Sequence, residues 1–175
     1  MLEAMKIVAF VAVAVLAMAQ RTDACGFWRM EDQEKHVSIG WLINAGSIEK
    51  DDKRLAALYL DLDNPSGLRA TLGKKVVYDI AGANIRRYGA VVGKRDGDKV
   101  TFGKRTYTVE LSDRHELHSA PAWKLTVKRG DDTIVASDDA SSLCAGIKGG
   151  MSEAQAEEEV RRRVIFYLAW REVGF

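Results

Sequence analysis

The strongest restriction on this chain is an alternation of apolar and polar residues from His36 to Ala136, broken by turn formers at intervals of roughly 8 to 12 positions. A period of two puts alternate side chains on opposite faces of a sheet, so the pattern demands short antiparallel strands. Leu58, Leu60 and Leu62 alternate with Tyr59, Asp61 and Asp63, and the run stops at Asn64-Pro65-Ser66-Gly67. There Pro fixes its own φ and Gly accepts a positive one. Val76, Tyr78 and Ile80 oppose Lys75 and Asp79. Val91 and Val92 lead through the turn-rich stretch Gly93 to Asp98, with its hairpin dipeptide Asp96-Gly97, to Val100 and Phe102. Gly103-Lys104 reverses the chain again. Tyr107, Val109 and Leu111 then share a face, as do Trp123, Leu125 and Val127. If those two strands pair, Glu110 meets the lysines at 124 and 128. Arg129 to Asp132 turns into a last strand, Thr133 to Ala136.

The period changes after Gly149-Gly150. Ser152 and Gln155 have the spacing of a capping box, in which each side chain satisfies a backbone donor of the other. Glu157, Glu158 and Glu159 stand four residues before Arg161, Arg162 and Arg163, the spacing that pairs charges on a helix surface. A helix over 152–172 follows, with Ala156, Val160, Val164, Tyr167 and Leu168 on the face that meets the sheet. Ile165, Phe166, Ala169 and Trp170 make its second half apolar all round, the mark of burial on more than one side. The fold expected is mainly β (α+β). It is an antiparallel β-sandwich or barrel of about seven to nine short strands, with one C-terminal α-helix packed on it.

Upstream, the uncharged run Ile7 to Ala19, preceded by Lys6 and closed by Ala17-Met18-Ala19, has the layout of a secretory signal peptide. It is shorter than the roughly 20 apolar residues that span a bilayer. Residues 1–19 are therefore expected to be removed, with Ala24 as the other candidate end of the leader. Residues 20–175 are read as one β-rich domain acting outside the cytoplasm, periplasmic or secreted, and not integral to a membrane after cleavage. Cys25 and Cys144 are the two cysteines. In an oxidising compartment they are expected to pair, which stabilises a loop of this length by about 4 to 5 kcal/mol in the chain-entropy model. Thr22 and Asp23 stand where a lipidation signal carries apolar residues, which argues against a lipid on Cys25. No basic residue near Cys144 activates it as a nucleophile.

Lys and Arg total 26 against 25 Asp and Glu, a net charge of +1. So small an excess provides no field for nucleic acid or an anionic membrane. Asp113-x-His115-x-x-His118 offers three side chains suited to zinc or copper. The competing reading is a polar loop between strands ending at Leu111 and beginning at Ala122. The acidic pairs Asp51-Asp52, Asp61/Asp63, Asp131-Asp132 and Asp138-Asp139 have neither the calcium-loop ladder nor a facing-carboxylate arrangement. Phosphate-binding loops, a nucleophile elbow and paired Cys-x-x-Cys motifs are absent from the sequence. Tyr59 lies out of phase with its leucine neighbours, as a ligand-facing aromatic would, or as one covered by the C-terminal helix; the helix cover is the favoured expectation.

The sequence thus predicts an exported, non-catalytic binding or accessory module for an unknown protein or small ligand, with no cofactor. One alternative is a metal-binding protein or metal-dependent enzyme built on a divalent ion at Asp113, His115 and His118. Another is an envelope assembly protein that presents the aromatic end of the helix, at Trp170, to a partner.

Overall fold

The alternation becomes strands that begin earlier and are more numerous than the sequence pattern suggests. A computed structural model describes residues 27–42, 45–60, 69–72, 75–117, 120–142 and 151–174. Within these, the strands are β1 (Trp28–Asp32), β2 (Val37–Trp41), β3 (Ala45–Lys50), β4 (Lys53–Leu60), β5 (Arg69–Leu72) and β6 (Lys75–Ala81). They continue as β7 (Asn84–Arg87), β8 (Ala90–Asp96), β9 (Lys99–Phe102), β10 (Arg105–Leu117), β11 (Ala120–Arg129) and β12 (Asp132–Ser141), before helix α1 (Glu153–Val173). The mainly-β class with one C-terminal helix holds. The expected two-layer sandwich and the count of seven to nine strands do not, because the twelve strands of the described residues belong to one antiparallel sheet in which neighbours in sequence are neighbours in space. The first strand lies between β2 and β12, so the ends of the meander meet.

Two local readings change with it. The stretch from Gly93 to Asp96 continues β8, and the reversal is confined to Gly97-Asp98 between the paired residues Asp96 and Lys99. Gly97 takes φ 58°, the left-handed conformation that such a tight hairpin places at its first central residue. Gly93 serves packing instead: a Cβ there would stand 2.6 Å from Cδ1 of Phe102 and 2.9 Å from the Thr101 carbonyl oxygen. Similarly, Asp113 to Leu117 lies in β10 and not in a loop. The register passes from Ser112 opposite Lys124 to His115 opposite Ala122, which leaves Asp113 and Arg114 as a bulge against Trp123.

Helix α1 starts as its sequence specifies. Gln155 N donates to Ser152 Oγ at 3.2 Å and Ser152 N donates to Gln155 Oε1 at 2.8 Å. The three ion pairs form, Arg161–Glu157 at 2.8 Å, Arg162–Glu158 at 2.9 Å and Arg163–Glu159 at 3.4 Å. On β10 and β11, Lys128 Nζ donates to Glu110 Oε2 at 2.8 Å, the cross-strand contact expected.

The helix is not laid on the outside of the sheet. Every residue from Arg163 to Ala169 is buried, so no solvent face remains over nearly two turns. Its contacts come from many directions. Asp32 on β1 receives Tyr167 and Arg171, the Tyr78 hydroxyl on β6 donates to the Gly174 carbonyl, Arg95 on β8 holds Glu158, and Arg161 donates to the Val109 carbonyl on β10. The sheet curls round the helix, and the inward rows Met30, Ile39, Ile48, Leu58, Tyr107, Leu125 and Val127 join Val160, Val164, Ile165, Phe166 and Leu168 in one core. Among the described residues no helix is long and apolar enough to cross a membrane.

Candidate functional site

Among the described residues, polar groups gather inside the sheet around Asp32 and, on its outer surface, along the seam between β1 and β12. The inner group begins at Asp32, whose alternation with Met30 and Trp28 turns it into the core. Its Oδ1 accepts the backbone N–H groups of Glu34 (2.9 Å) and Lys35 (2.7 Å), closing the turn after β1. Its Oδ2 accepts Tyr167 Oη at 2.6 Å and Arg171 Nε at 2.6 Å. The same guanidinium donates to Tyr107 Oη at 3.0 Å, to Glu172 Oε1 at 2.6 Å and to Glu34. Arg105 holds the other Glu172 oxygen at 2.7 Å, and Arg129 holds Glu34 at 3.1 Å.

The electrostatics follow from these contacts. Burial, then the hydrogen bond to Asp32, pushes the Tyr167 hydroxyl far above the usual phenol range, so it stays a donor. Burial would lift Glu172, but Tyr107, Arg105 and Arg171 outweigh it and hold its carboxyl low. The hydrogen bond from Arg129, with that from Arg171, lowers Glu34. Burial works against the Arg171 cation, yet its carboxylate partners raise it well above its ordinary value. This cluster is a clasp. Its groups satisfy one another and fasten the last turn of the helix to β1 and β10.

The outer place is the seam between β1 and β12. Their ladder consists of Glu31 opposite Ala136 and Asp32 opposite Val135. On its other edge β1 is paired with β2 along its whole length, from Trp28 opposite Trp41 to Asp32 opposite Val37. Farther along, Asp138 and Asp139 both face Lys124, since Ser137 pairs with Leu125 and Ala140 with Trp123. Beyond that ladder Ser137 Oγ donates to the Arg29 carbonyl at 2.5 Å, which holds β12 against β1. A groove of about 560 Å³ lies along this seam, lined by Phe27, Arg29, Glu31, Leu117, Asp138 and Asp139 among others.

The sequence-predicted residues fall differently around it. His115 stands beside the groove, where its Nδ1 meets the Asp113 carbonyl oxygen at 2.9 Å and its Nε2 meets Asp139 Oδ1 at 3.0 Å. Those two contacts, the backbone one first, raise its pKa above the usual imidazole value. Opposite residues of an antiparallel pair share a face, so the bridge from His115 passes over the fully buried Ala122. Asp113 contributes its carbonyl here and takes φ 48° in the bulge. His118 lies outside the described residues, as do Cys25, Cys144 and residues 1–19. Among the described residues no three His, Cys, Asp or Glu side chains gather as a metal site.

Tyr59 corrects an expectation. It is 48% exposed, while its neighbours Leu58 and Leu60 point into the core that contains the helix. The helix therefore cannot cover it. Tyr59 instead borders a shallow depression of about 130 Å³ with Phe27, Leu42, Arg54 and Ala57 on the outside of β2–β4. Trp170 is half-buried and stacks on Tyr167 with ring centroids 5.9 Å apart, between the buried Ala169 and Arg171. Sequence reasoning missed Asp32 and Arg171, although Trp28, Met30 and Asp32 share one phase of a strand and an Asp in that phase marks a buried carboxylate. The chain matches no protein-family model, no curated protein and no solved structure.

Proposed function

We propose that the chain is an exported, non-catalytic binding module that meets its partner on the outside of the sheet, along the β1–β12 seam. The observation that carries this reading is the occupation of the interior by α1, with Arg163 to Ala169 buried and Asp32, Tyr167 and Arg171 engaged with one another. Curled sheets that carry small ligands keep a lumen for them; here that volume is core. Recognition then falls to the outer face, where the seam supplies a groove with main-chain, carboxylate and aromatic groups together. Export rests on the Ile7–Ala19 leader pattern and on the two cysteines.

The experiment is site-specific photo-cross-linking in the source cells, with a benzoylphenylalanine placed in turn at Leu117 beside the seam, at Tyr59 and at Lys104 in the β9–β10 turn. A discrete adduct from Leu117, absent from Lys104, is expected in the exported fraction. An adduct from Tyr59 alone would move the binding surface to β2–β4, and no adduct from either would refute the reading.

A further inference from the structure

We infer that the depression between Phe27 and Tyr59 is a docking pocket for one apolar side chain of an acidic partner segment. The inference rests on the binding-module reading and adds a second contact surface, since Phe27 borders both the seam groove and this depression. An antiparallel sheet with one face in the core normally turns polar residues to water on the other. The outside of β2–β4 departs from that pattern. Gly40 pairs with Ser47, Ser47 with Ala57 and Ala45 with Tyr59, so these positions share the outer face. Around them Phe27, Leu42 and Tyr59 are 45, 43 and 48% exposed. They are three of the six large apolar side chains exposed among the described residues, and all three border the one depression. Scattered singly, such residues need no explanation; gathered about a concavity, they mark a contact site.

The concavity follows from residue size. The Phe27 ring lies over Gly40, where a Cβ would stand 2.7 Å from Cε2 of that ring. Tyr59 stands on β4, two strands from β2, which is about 9.6 Å at ordinary strand spacing. Between the two, the outer face of β3 offers only the small residues Ala45 and Ser47. The space left is about 130 Å³. Sites for free small molecules run from about 300 to 1,000 Å³ and enclose most of the ligand. A depression of this size takes one Phe or Leu side chain, as the anchor pockets of protein interfaces do.

Charge chooses the neighbours of that side chain. Arg54 lines the depression and is exposed, and the residues lining it include no carboxylate. Glu49 stands opposite Arg54 in the ladder, but its carboxylate accepts the Ser47 hydroxyl at 2.9 Å. On the other side Arg29 places its guanidinium over the Phe27 ring, 5.3 Å from the centroid. Cations thus border the pocket along β4 and beside Phe27. They favour an anchor flanked by Glu or Asp and disfavour one flanked by Lys.

The test uses the isotope-labelled chain and three short, capped, unlabelled peptides. One carries Phe between two Glu residues, one carries Phe between two Lys residues, and the third carries Ala between two Glu residues. In an NMR titration the first should give saturable amide shifts at Ser47, Ala57 and Tyr59 and bind at least roughly fivefold more tightly than either of the others. Ala57→Leu, which fills the floor, should weaken it by about the same factor with the unfolding midpoint retained. Arg54→Glu should reverse the order of the two Phe peptides, whereas Tyr88→Ser, in the β7–β8 turn, should leave it unchanged. Equal binding of the three peptides, shifts confined to other surfaces, or an unchanged order in Arg54→Glu would overturn the inference. So would self-association of the chain through this face, which would make a second copy the occupant. If the peptides fail while Leu117 still cross-links a partner, the pocket inference falls and the binding-module reading stands.

Discussion

Arg171 Nε and Asp32 Oδ2 lie 2.6 Å apart with both side chains out of contact with solvent, joining the last turn of the helix to the end of the first strand. An isolated charge in such a place would be costly, and the pair is tolerable because each remaining polar atom is also met. Tyr167, the turn amides, Tyr107, Glu172 and Glu34 supply those partners.

Asp32→Ala should lower stability by about 3 to 5 kcal/mol, because it leaves the Arg171 guanidinium buried against fewer acceptors. Replacing both partners, Asp32→Leu with Arg171→Met, should recover much of that loss. Urea unfolding of the three variants measures both effects. A loss below about 1 kcal/mol for Asp32→Ala would remove the clasp from the list of structural determinants.

Acid should loosen the same end of the helix. Glu34 is held low by Arg129 and Arg171; Glu172 is held low by its hydrogen bonds despite burial. For a depressed carboxyl the stabilisation is present above its ordinary value of 4.5 and disappears as the pH falls through the lower folded value. Stability should therefore drop on acidification below about 4.5, and less steeply in Glu172→Gln than in the parent. Denaturant midpoints measured across that range would show it; parallel curves for the two proteins would count against the assignment.

Leu168 lies in the core and Arg162 is a partly exposed partner of Glu158. Leu168→Ala should cost about 2 to 5 kcal/mol and Arg162→Ala less than about 1. Trp170→Ala should fall between them, since that ring is half-buried on Tyr167. Thermal or chemical midpoints that rank Arg162→Ala with Leu168→Ala would contradict the enclosed helix.

His115 reports on the seam. Its pKa is raised by the Asp113 carbonyl and the Asp139 carboxylate, so the bridge contributes fully below the ordinary imidazole value of 6.5 and is lost as the pH rises through the higher folded value. An NMR titration of the ring should give a midpoint above 6.5 that moves down in Asp139→Asn. An unchanged midpoint in that variant would show that Asp139 does not hold the ring.

Cys25 and Cys144 lie outside the described residues, and their pairing remains the expectation set by an oxidising compartment. Reduction should add two hydrogens to the intact mass, and the unreduced, unfolded chain should contain no titratable thiol. Two titratable thiols would dismiss the bridge.

Some of this architecture was legible because its causes are local. The capping box at Ser152 and Gln155, the three Glu–Arg pairs and the hairpins at Gly97, Gly103 and Gly130 each depend on residues a few positions apart. Their backbone geometry is therefore determined by the sequence around them. The alternation likewise determined which side chains share a face. It assigned Leu58 and Leu60 one face and Tyr59 the other, but not which elements those faces would meet.

That decision belonged to the tertiary structure, because it depends on closure between distant parts of the chain. Asp32 and Arg171 are separated by 139 positions, and no local pattern reveals that a carboxylate at the end of one strand will meet a guanidinium at the end of a helix. The sequence alone determined a β-rich chain ending in an apolar helix. Only when β1 met both β2 and β12 did the sheet acquire an inside, and α1, apolar all round over its second half, filled it. Burying that helix on all sides removed more apolar area from water than laying it on one face would have done, and this is why the helix became the core and Tyr59 stayed outside.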